Sequence, residues 1–139
     1  MLALFAFLNS LIMLLLGMLH LYWAVGGKWG LEQALPVSPT GEKPLNPGMI
    51  ACIVVTLGLF AFSAFYFVIG LNGGTSLPVF LLKWMPFALA GIFLLRAIGD
   101  FKFVGFFKKI KNTEFGRLDT LFYSPLCLYI GLTTLWIGL

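Results

Sequence analysis

The sequence predicts an all-α integral membrane protein, a bundle of four transmembrane helices with one short basic helix at the membrane surface. Of the 139 residues, 60% are hydrophobic and only 10% are charged, and the mean hydropathy is +1.01. About a quarter of the residues in a soluble domain are charged, so these values exclude a soluble globular protein. They also exclude a disordered chain, which needs low hydrophobicity. We therefore expect one transmembrane domain over residues 1–139.

Four apolar segments are long enough to cross a bilayer, which takes about 20 helical residues. They lie at residues 2–25, 47–71, 78–100 and 119–139. The first segment is longer than the apolar core of a signal peptide and has no basic residues before it, so we interpret it as a retained span. Asn46 and Pro47 are suited to start the second span, as the N-cap and the first helical residue.

The start of the fourth span carries two conflicting signals. Asp119 is favoured at a helix N-terminus, but Ser124 followed by Pro125 is also a typical helix start. A helix from Pro125 to the last residue would be only about 22 Å long at 1.5 Å per residue, so a kinked continuous helix is the alternative. In both cases we expect irregular backbone near residues 121–124, which at membrane depth needs shelter from protein or a water-filled cavity.

The segment between the third and fourth spans is basic and has a helical pattern of apolar residues. One predicted face, with i, i+3, i+4, i+7 spacing, consists of Phe103, Phe106, Phe107 and Ile110. The lysines around it are Lys102, Lys108, Lys109 and Lys111. We predict an interfacial helix whose lysines contact anionic inner-leaflet headgroups. The alternative is an ordinary basic anchor beside a span.

The lysine and arginine bias predicts the orientation of the chain. Loops 26–46 and 101–118 share one side of the membrane and carry most of the basic residues, whereas the opposite side has Lys83. Since basic loops stay in the cytoplasm, we predict a multi-pass plasma-membrane protein with both termini outside. The net charge of +4 then indicates membrane lipids as partners rather than nucleic acid, with a homo-oligomer left open.

Arg96 is the most informative polar residue of the sequence. A guanidinium inside a span costs at least a few kcal/mol, so it must face the protein interior or reach the interface. Asp100 follows one turn later on the same helical face and can pair with it, although we expect a partner on another helix for at least one of the two. The pair is either a structural ion pair or part of an anion-binding or proton-handling site.

The predicted topology brings further polar side chains to the membrane depth of Arg96. We expect a polar pocket at the cytoplasmic end of the bundle, whose ligand-binding residues are Arg96, Asp100, His20, Tyr123, Asp119 and Trp23. His20 has a second interpretation, as an interfacial residue beside Trp23. Asn9 and Ser10, in the middle of the first span, are expected to hydrogen-bond a neighbouring helix. Cys52 and Cys127 are expected to be free thiols packed as small apolar residues.

These residues favour a protein that binds a lipid-like or amphiphilic small molecule. One alternative is a membrane-embedded enzyme in which His20 and Asp100 form a proton-transfer pair. Others are an oligomeric transporter or channel, and a structural membrane partner. The sequence contains no nucleotide-binding, zinc-binding or catalytic-serine motif, so we expect no cofactor and no metal, and whether the protein is an enzyme stays open.

Several sequence blocks together resemble a bacterial family. They are Leu19–Trp23, Leu95–Phe101, Gly105–Phe107, Leu118–Thr120 and Tyr123–Cys127. The chain is similar over nearly its whole length to the small four-span membrane proteins of domain of unknown function 3995. The resemblance implies an integral membrane protein of bacteria and implies no activity.

Overall fold

The computed structural model describes residues 1–36, 38, 40 and 48–139, and every regular element in this part of the chain is helical. The all-α prediction is therefore confirmed. The proposed helix start at Asn46 and Pro47 lies outside the described residues. The second long helix begins at Met49, directly after Gly48.

In the part of the chain that the structure describes, four helices are long and apolar enough to cross a membrane. Three of them are α1 (Leu2–Ala24), α3 (Met49–Asn72) and α4 (Val79–Ile98), and the fourth is continuous from Glu114 to Gly138. A short helix, α2 (Leu31–Ala34), follows α1. Many large apolar side chains on the long helices are exposed, as expected for helices whose surroundings are lipid rather than water. The chain is a multi-pass membrane protein, and the predicted spans agree with the first three helices.

The fourth membrane helix consists of α5 (Glu114–Leu118), a π-helical turn (Asp119–Tyr123) and α6 (Ser124–Gly138). It begins five residues before the predicted start, where the Thr113 hydroxyl accepts a hydrogen bond from the Gly116 N–H at 3.0 Å. The predicted starts at Asp119 and Pro125 are therefore both wrong, and the continuous helix is right.

The π-helical turn confirms the expected irregular backbone near residues 121–124. The Ser124 N–H bonds to the Asp119 carbonyl, five residues back. Pro125 has no N–H, and in an α-helix its ring would clash with the carbonyl of Leu121. The wider π turn accommodates the proline within one continuous helix. Ser124 is itself helical, as the first residue of α6 within the continuous helix, and is not an N-cap.

The predicted interfacial helix is wrong, because residues 99–113 form an irregular loop. Gly99 and Gly105 have φ angles of +91° and +88°, and Phe101 has a φ of +62°. A right-handed helix cannot contain such angles. Gly99 ends α4 as a left-handed C-terminal residue, so the i, i+3, i+4, i+7 pattern does not form a helical face.

Contacts within the chain divide it into two compact units. The first contains Met1–Gly27, Pro47–Phe87 and Thr134–Leu139, and the second contains Lys28–Asn46 and Ala88–Thr133. Within the first unit, α1 and α3 pack through small residues: a Cβ at Gly17 would lie 2.6 Å from the Phe60 ring. Such residues let transmembrane helices approach closely.

Buried hydrogen bonds also join the elements of the first unit. The Ser10 hydroxyl donates to the Ser63 carbonyl at 2.9 Å, and the Ser63 hydroxyl donates to the Ser10 carbonyl at 2.8 Å. Asn9 Nδ2 donates to Thr134 Oγ1 at 3.5 Å, and this oxygen lies 2.6 Å from Tyr66 Oη. The prediction that Asn9 and Ser10 bond neighbouring helices is confirmed.

Both cysteines are free, as expected. Cys52 is buried and Cys127 is half-buried.

Candidate functional site

The centre of the candidate site is the carboxylate of Asp119, which is fully buried in the second unit. Its Oδ1 accepts a hydrogen bond from Arg96 Nη2 at 2.8 Å. Its Oδ2 accepts from the Gly105 N–H at 2.8 Å, from Lys108 Nζ at 3.0 Å and from the Ser124 hydroxyl at 3.0 Å. We call Arg96, Lys108 and Asp119 the charged triad. Both ion pairs are close enough for charge-assisted hydrogen bonds.

Three features of the local fold bring these groups together. The last turn of α4 carries Arg96. The loop then turns back at Gly99 and Gly105, where a Cβ would strike backbone atoms at 1.7 Å and 2.2 Å, so only glycine fits. Ser124 follows Asp119 by five residues, which is the hydrogen-bond spacing of the π turn. The turn therefore brings the serine hydroxyl to the Asp119 carboxylate.

Lys108 is a buried residue of this site and does not face a lipid headgroup. The structure corrects the prediction for this lysine, because its side chain is fully buried. Its ammonium group donates to the Gly105 carbonyl at 3.0 Å, to Asp119 and to Thr120 Oγ1 at 2.6 Å. An ammonium has three N–H donors, so all of them are used inside the protein.

The charged triad has an excess of positive charge and a nitrogen donor group without a protein partner. Two cations surround a single carboxylate, which leaves a residual formal charge of one. Within the described part of the chain, the buried Arg96 Nη1 has no hydrogen-bond partner. The Arg96 side chain is nevertheless 33% exposed. A buried donor without an acceptor is rare in proteins, and an oxygen of a water, ion or ligand would satisfy it.

Asp100 does not pair with Arg96, and this corrects the sequence interpretation. Because α4 ends at Ile98, the helical spacing does not continue to Asp100. Its Oδ1 instead accepts hydrogen bonds from the N–H groups of Lys102, Phe103 and Val104 at 2.7–2.9 Å. Burial raises the pKa of Asp100, but these backbone donors together lower it below the ordinary value. The expectation that Arg96 pairs with another helix is confirmed by Asp119.

The remaining predicted site residues have other contacts. Tyr123 lies in the second unit, where its hydroxyl donates to the Gln33 carbonyl at 3.4 Å. His20 and Trp23 lie in the first unit. His20 Nδ1 is 2.8 Å from the Leu16 carbonyl oxygen. The centroids of the His20 and Trp23 rings are 4.9 Å apart. Membership of His20, Trp23 and Tyr123 in a ligand site therefore stays a prediction.

Sequence reasoning missed the roles of Lys108, Ser124 and the Gly105 N–H in holding Asp119. The signal available was the pair Gly99 and Gly105, since two glycines in a short segment weaken a helical interpretation. No group of three His, Cys, Asp or Glu side chains in the described residues is placed to hold a metal ion.

The family model described as "Protein of unknown function (DUF3995)" matches residues 13–134. The chain belongs to the DUF3995 family. All of the residues that bond to Asp119 lie within the matched region. The family description assigns no activity. No curated protein and no solved structure matches the chain.

Proposed function

We propose that this DUF3995 protein binds the anionic group of an amphiphile through Arg96, while the apolar part of the ligand stays in the bilayer. The observation that carries the proposal is the unused Nη1 donor of Arg96 beside a site with a residual positive charge. A phosphate or carboxylate oxygen would supply the missing acceptor and neutralise that charge. Arginine is suited to both groups because its planar guanidinium presents several donors in a fixed fork.

The position of Arg96 supports an amphiphile as the ligand. Arg96 lies in the last turn of a membrane helix, next to a loop outside the spans. A headgroup at this level leaves its hydrocarbon part at the depth of the apolar helix surface. Exposed apolar side chains such as Leu95 and Ile92 on the same helix are chemically suited to contact it.

We do not favour proton transfer by His20 and Asp100. The Asp100 carboxylate accepts three backbone N–H bonds that hold its pKa below the ordinary value. A carboxylate stabilised in this way is a weak base.

The first test compares ligand retention by two matched variants, Arg96→Gln and Arg117→Gln. Both lose one guanidinium from the second unit, but Arg117 is exposed and is not among the residues that bond to the Asp119 carboxylate. We expect mass spectrometry to find an anionic amphiphile retained by the wild-type protein and by Arg117→Gln, and at least about tenfold less of it in Arg96→Gln, as expected for one lost charge-assisted hydrogen bond.

A further variant and two added ligands separate loss of ligand binding from misfolding, and an amphiphile from a free anion. Arg96→Lys preserves the ion pair with Asp119 but loses the second N–H group, so it should fold and retain less ligand than wild type. Dodecyl phosphate and inorganic phosphate, added separately, distinguish an amphiphile from a free anion. Equal retention by wild type and Arg96→Gln would contradict the proposal and leave the triad a structural ion-pair cluster.

We also propose that the protein lies in the plasma membrane with both termini outside and with the loop segments 26–46 and 101–118 in the cytoplasm, the second of which includes α5 at the start of the fourth membrane helix. The support is the concentration of lysine and arginine in these two loops, which determines orientation during membrane insertion.

A further inference from the structure

We propose that the irregular loop at residues 99–111 is a preformed docking surface for the anionic phospholipids of the leaflet that surrounds it. This 99–111 loop directly follows the end of α4 at Ile98 and lies three residues before the fourth membrane helix begins at Glu114. It is therefore held at the membrane surface at both ends. The inference does not depend on ligand binding by Arg96.

The loop exposes aromatic rings, which is unusual for a surface in contact with water alone. Phe101 is 57% exposed, Phe107 is 63% exposed and Phe106 is 37% exposed. The centroids of the Phe101 and Phe107 rings are 6.3 Å apart, so these two rings form one apolar patch. Exposed apolar patches mark interaction sites, and at the end of a membrane helix the nearest apolar phase is the acyl-chain region.

Lysines that neighbour these rings in the sequence determine which lipid fits the patch. Lys102, Lys109 and Lys111 are exposed, whereas Lys108 is buried against Asp119. Aromatic rings that enter the headgroup boundary and lysines that meet phosphate groups are the pattern of interfacial membrane binding. The charge complementarity favours anionic phospholipids over zwitterionic ones.

Several internal bonds hold the loop in its shape before any lipid binds. Asp100 Oδ1 accepts three backbone N–H groups. The Phe106 N–H donates to the Ala97 carbonyl at 2.8 Å, and the Ile110 N–H donates to the Lys102 carbonyl at 3.0 Å. Phe101 keeps a φ of +62°, an angle that persists only where the surrounding structure imposes it. A surface fixed in this way loses little conformational entropy on binding.

The test measures the membrane depth of the loop in the full-length protein. Phe107→Cys is made in a chain with Cys52→Ala and Cys127→Ala, and a nitroxide label is attached. The protein is reconstituted in phosphatidylcholine vesicles with and without phosphatidylglycerol, and label accessibility to oxygen and to a water-soluble nickel chelate is compared. We expect the label to lie below the phosphate level, more deeply when phosphatidylglycerol is present. Phe101→Cys serves as a second site if the first variant misfolds.

Charge variants test the choice of lipid. In Lys102→Gln/Lys109→Gln/Lys111→Gln, we expect the enrichment of phosphatidylglycerol around the protein, measured by native mass spectrometry in nanodiscs, to fall about fivefold for each lysine removed. The control is Lys28→Gln/Lys83→Gln, two exposed lysines outside the loop, which should leave the depth of the label at Phe107 unchanged and should lower the phosphatidylglycerol enrichment less for each lysine removed than the loop variant does.

Two results would overturn the inference. One is a label at Phe107 that the nickel chelate reaches equally in both kinds of vesicle. The other is dipolar broadening between labels on two copies, which would show that the patch is covered by protein rather than lipid.

Discussion

The Asp119 carboxylate is the residue on which the second unit depends most. An ionised carboxylate buried without partners costs several kcal/mol, and so does a buried ammonium. Asp119 accepts four hydrogen bonds, two of them from cations, and Lys108 donates three. Each charge is tolerated because the others are present, so removal of the carboxylate should cost more than removal of either cation.

For single residues, the sequence predicted that Arg96 needs a buried partner, but it did not predict that Lys108 joins the charged triad. The cost of burying Arg96 predicts a partner on another helix, and Asp119 is that partner. Lys108 could not be assigned, because a lysine in a basic segment is usually exposed. Its burial follows from the turns at Gly99 and Gly105, which no residue periodicity encodes.

At the scale of elements, the 99–111 loop and the π turn act together. The π turn presents Asp119 and Ser124, and the loop supplies the Gly105 N–H and Lys108 to the same carboxylate. The loop must therefore adopt one conformation to complete the site. Gly99 controls this conformation, because a Cβ there would lie 1.7 Å from the Val104 carbonyl oxygen.

We expect Gly99→Ala to lower the free energy of unfolding by more than about 2 kcal/mol, since it adds a backbone clash to the cost of a left-handed residue. The matched control is Gly91→Ala on α4, where a Cβ would meet nothing within 4 Å. That change should be neutral or stabilising by up to about 1 kcal/mol. Unfolding by sodium dodecyl sulfate from mixed micelles measures both. Equal stability of the two variants would contradict the role of Gly99.

The long helices were predictable from the sequence, and the loop was not. Hydrophobic length alone determines α1, α3 and α4, because a membrane span must satisfy its backbone hydrogen bonds internally. The segment from Phe103 to Ile110 has the periodicity of a helix, yet the backbone bonds to Asp100 and the glycine turns compete with that structure. Side-chain bonds to nearby N–H groups are a known competitor of helix formation.

At the scale of the whole molecule, the orientation of the chain in the membrane is a prediction. Four helices in the described residues are long and apolar enough to span a membrane, and the chain belongs to the DUF3995 family. The basic residues concentrate in loops 26–46 and 101–118, and this bias predicts that both ends of the chain lie outside.

Cysteine labelling in intact cells tests this orientation. In the cysteine-free background, we expect a membrane-impermeant maleimide added outside to react with Leu139→Cys but not with Asn112→Cys, which lies in the basic loop. Permeabilised cells should react at both positions. The reverse pattern in intact cells would show that the orientation is inverted.

One buried carboxylate serves as the counter-ion of both Arg96 and Lys108, and a double-mutant cycle of unfolding free energies tests this arrangement most directly. We predict a loss of about 3–5 kcal/mol for Asp119→Asn, which leaves two cations without a counter-ion. For Lys108→Met we predict a loss of about 1–3 kcal/mol, because Arg96 and Asp119 stay paired. In the Lys108→Met background, Asp119→Asn should cost at least about 1 kcal/mol less than it does in the wild-type protein. An equal cost in the two backgrounds would show that Lys108 and Asp119 are not coupled and would contradict the account.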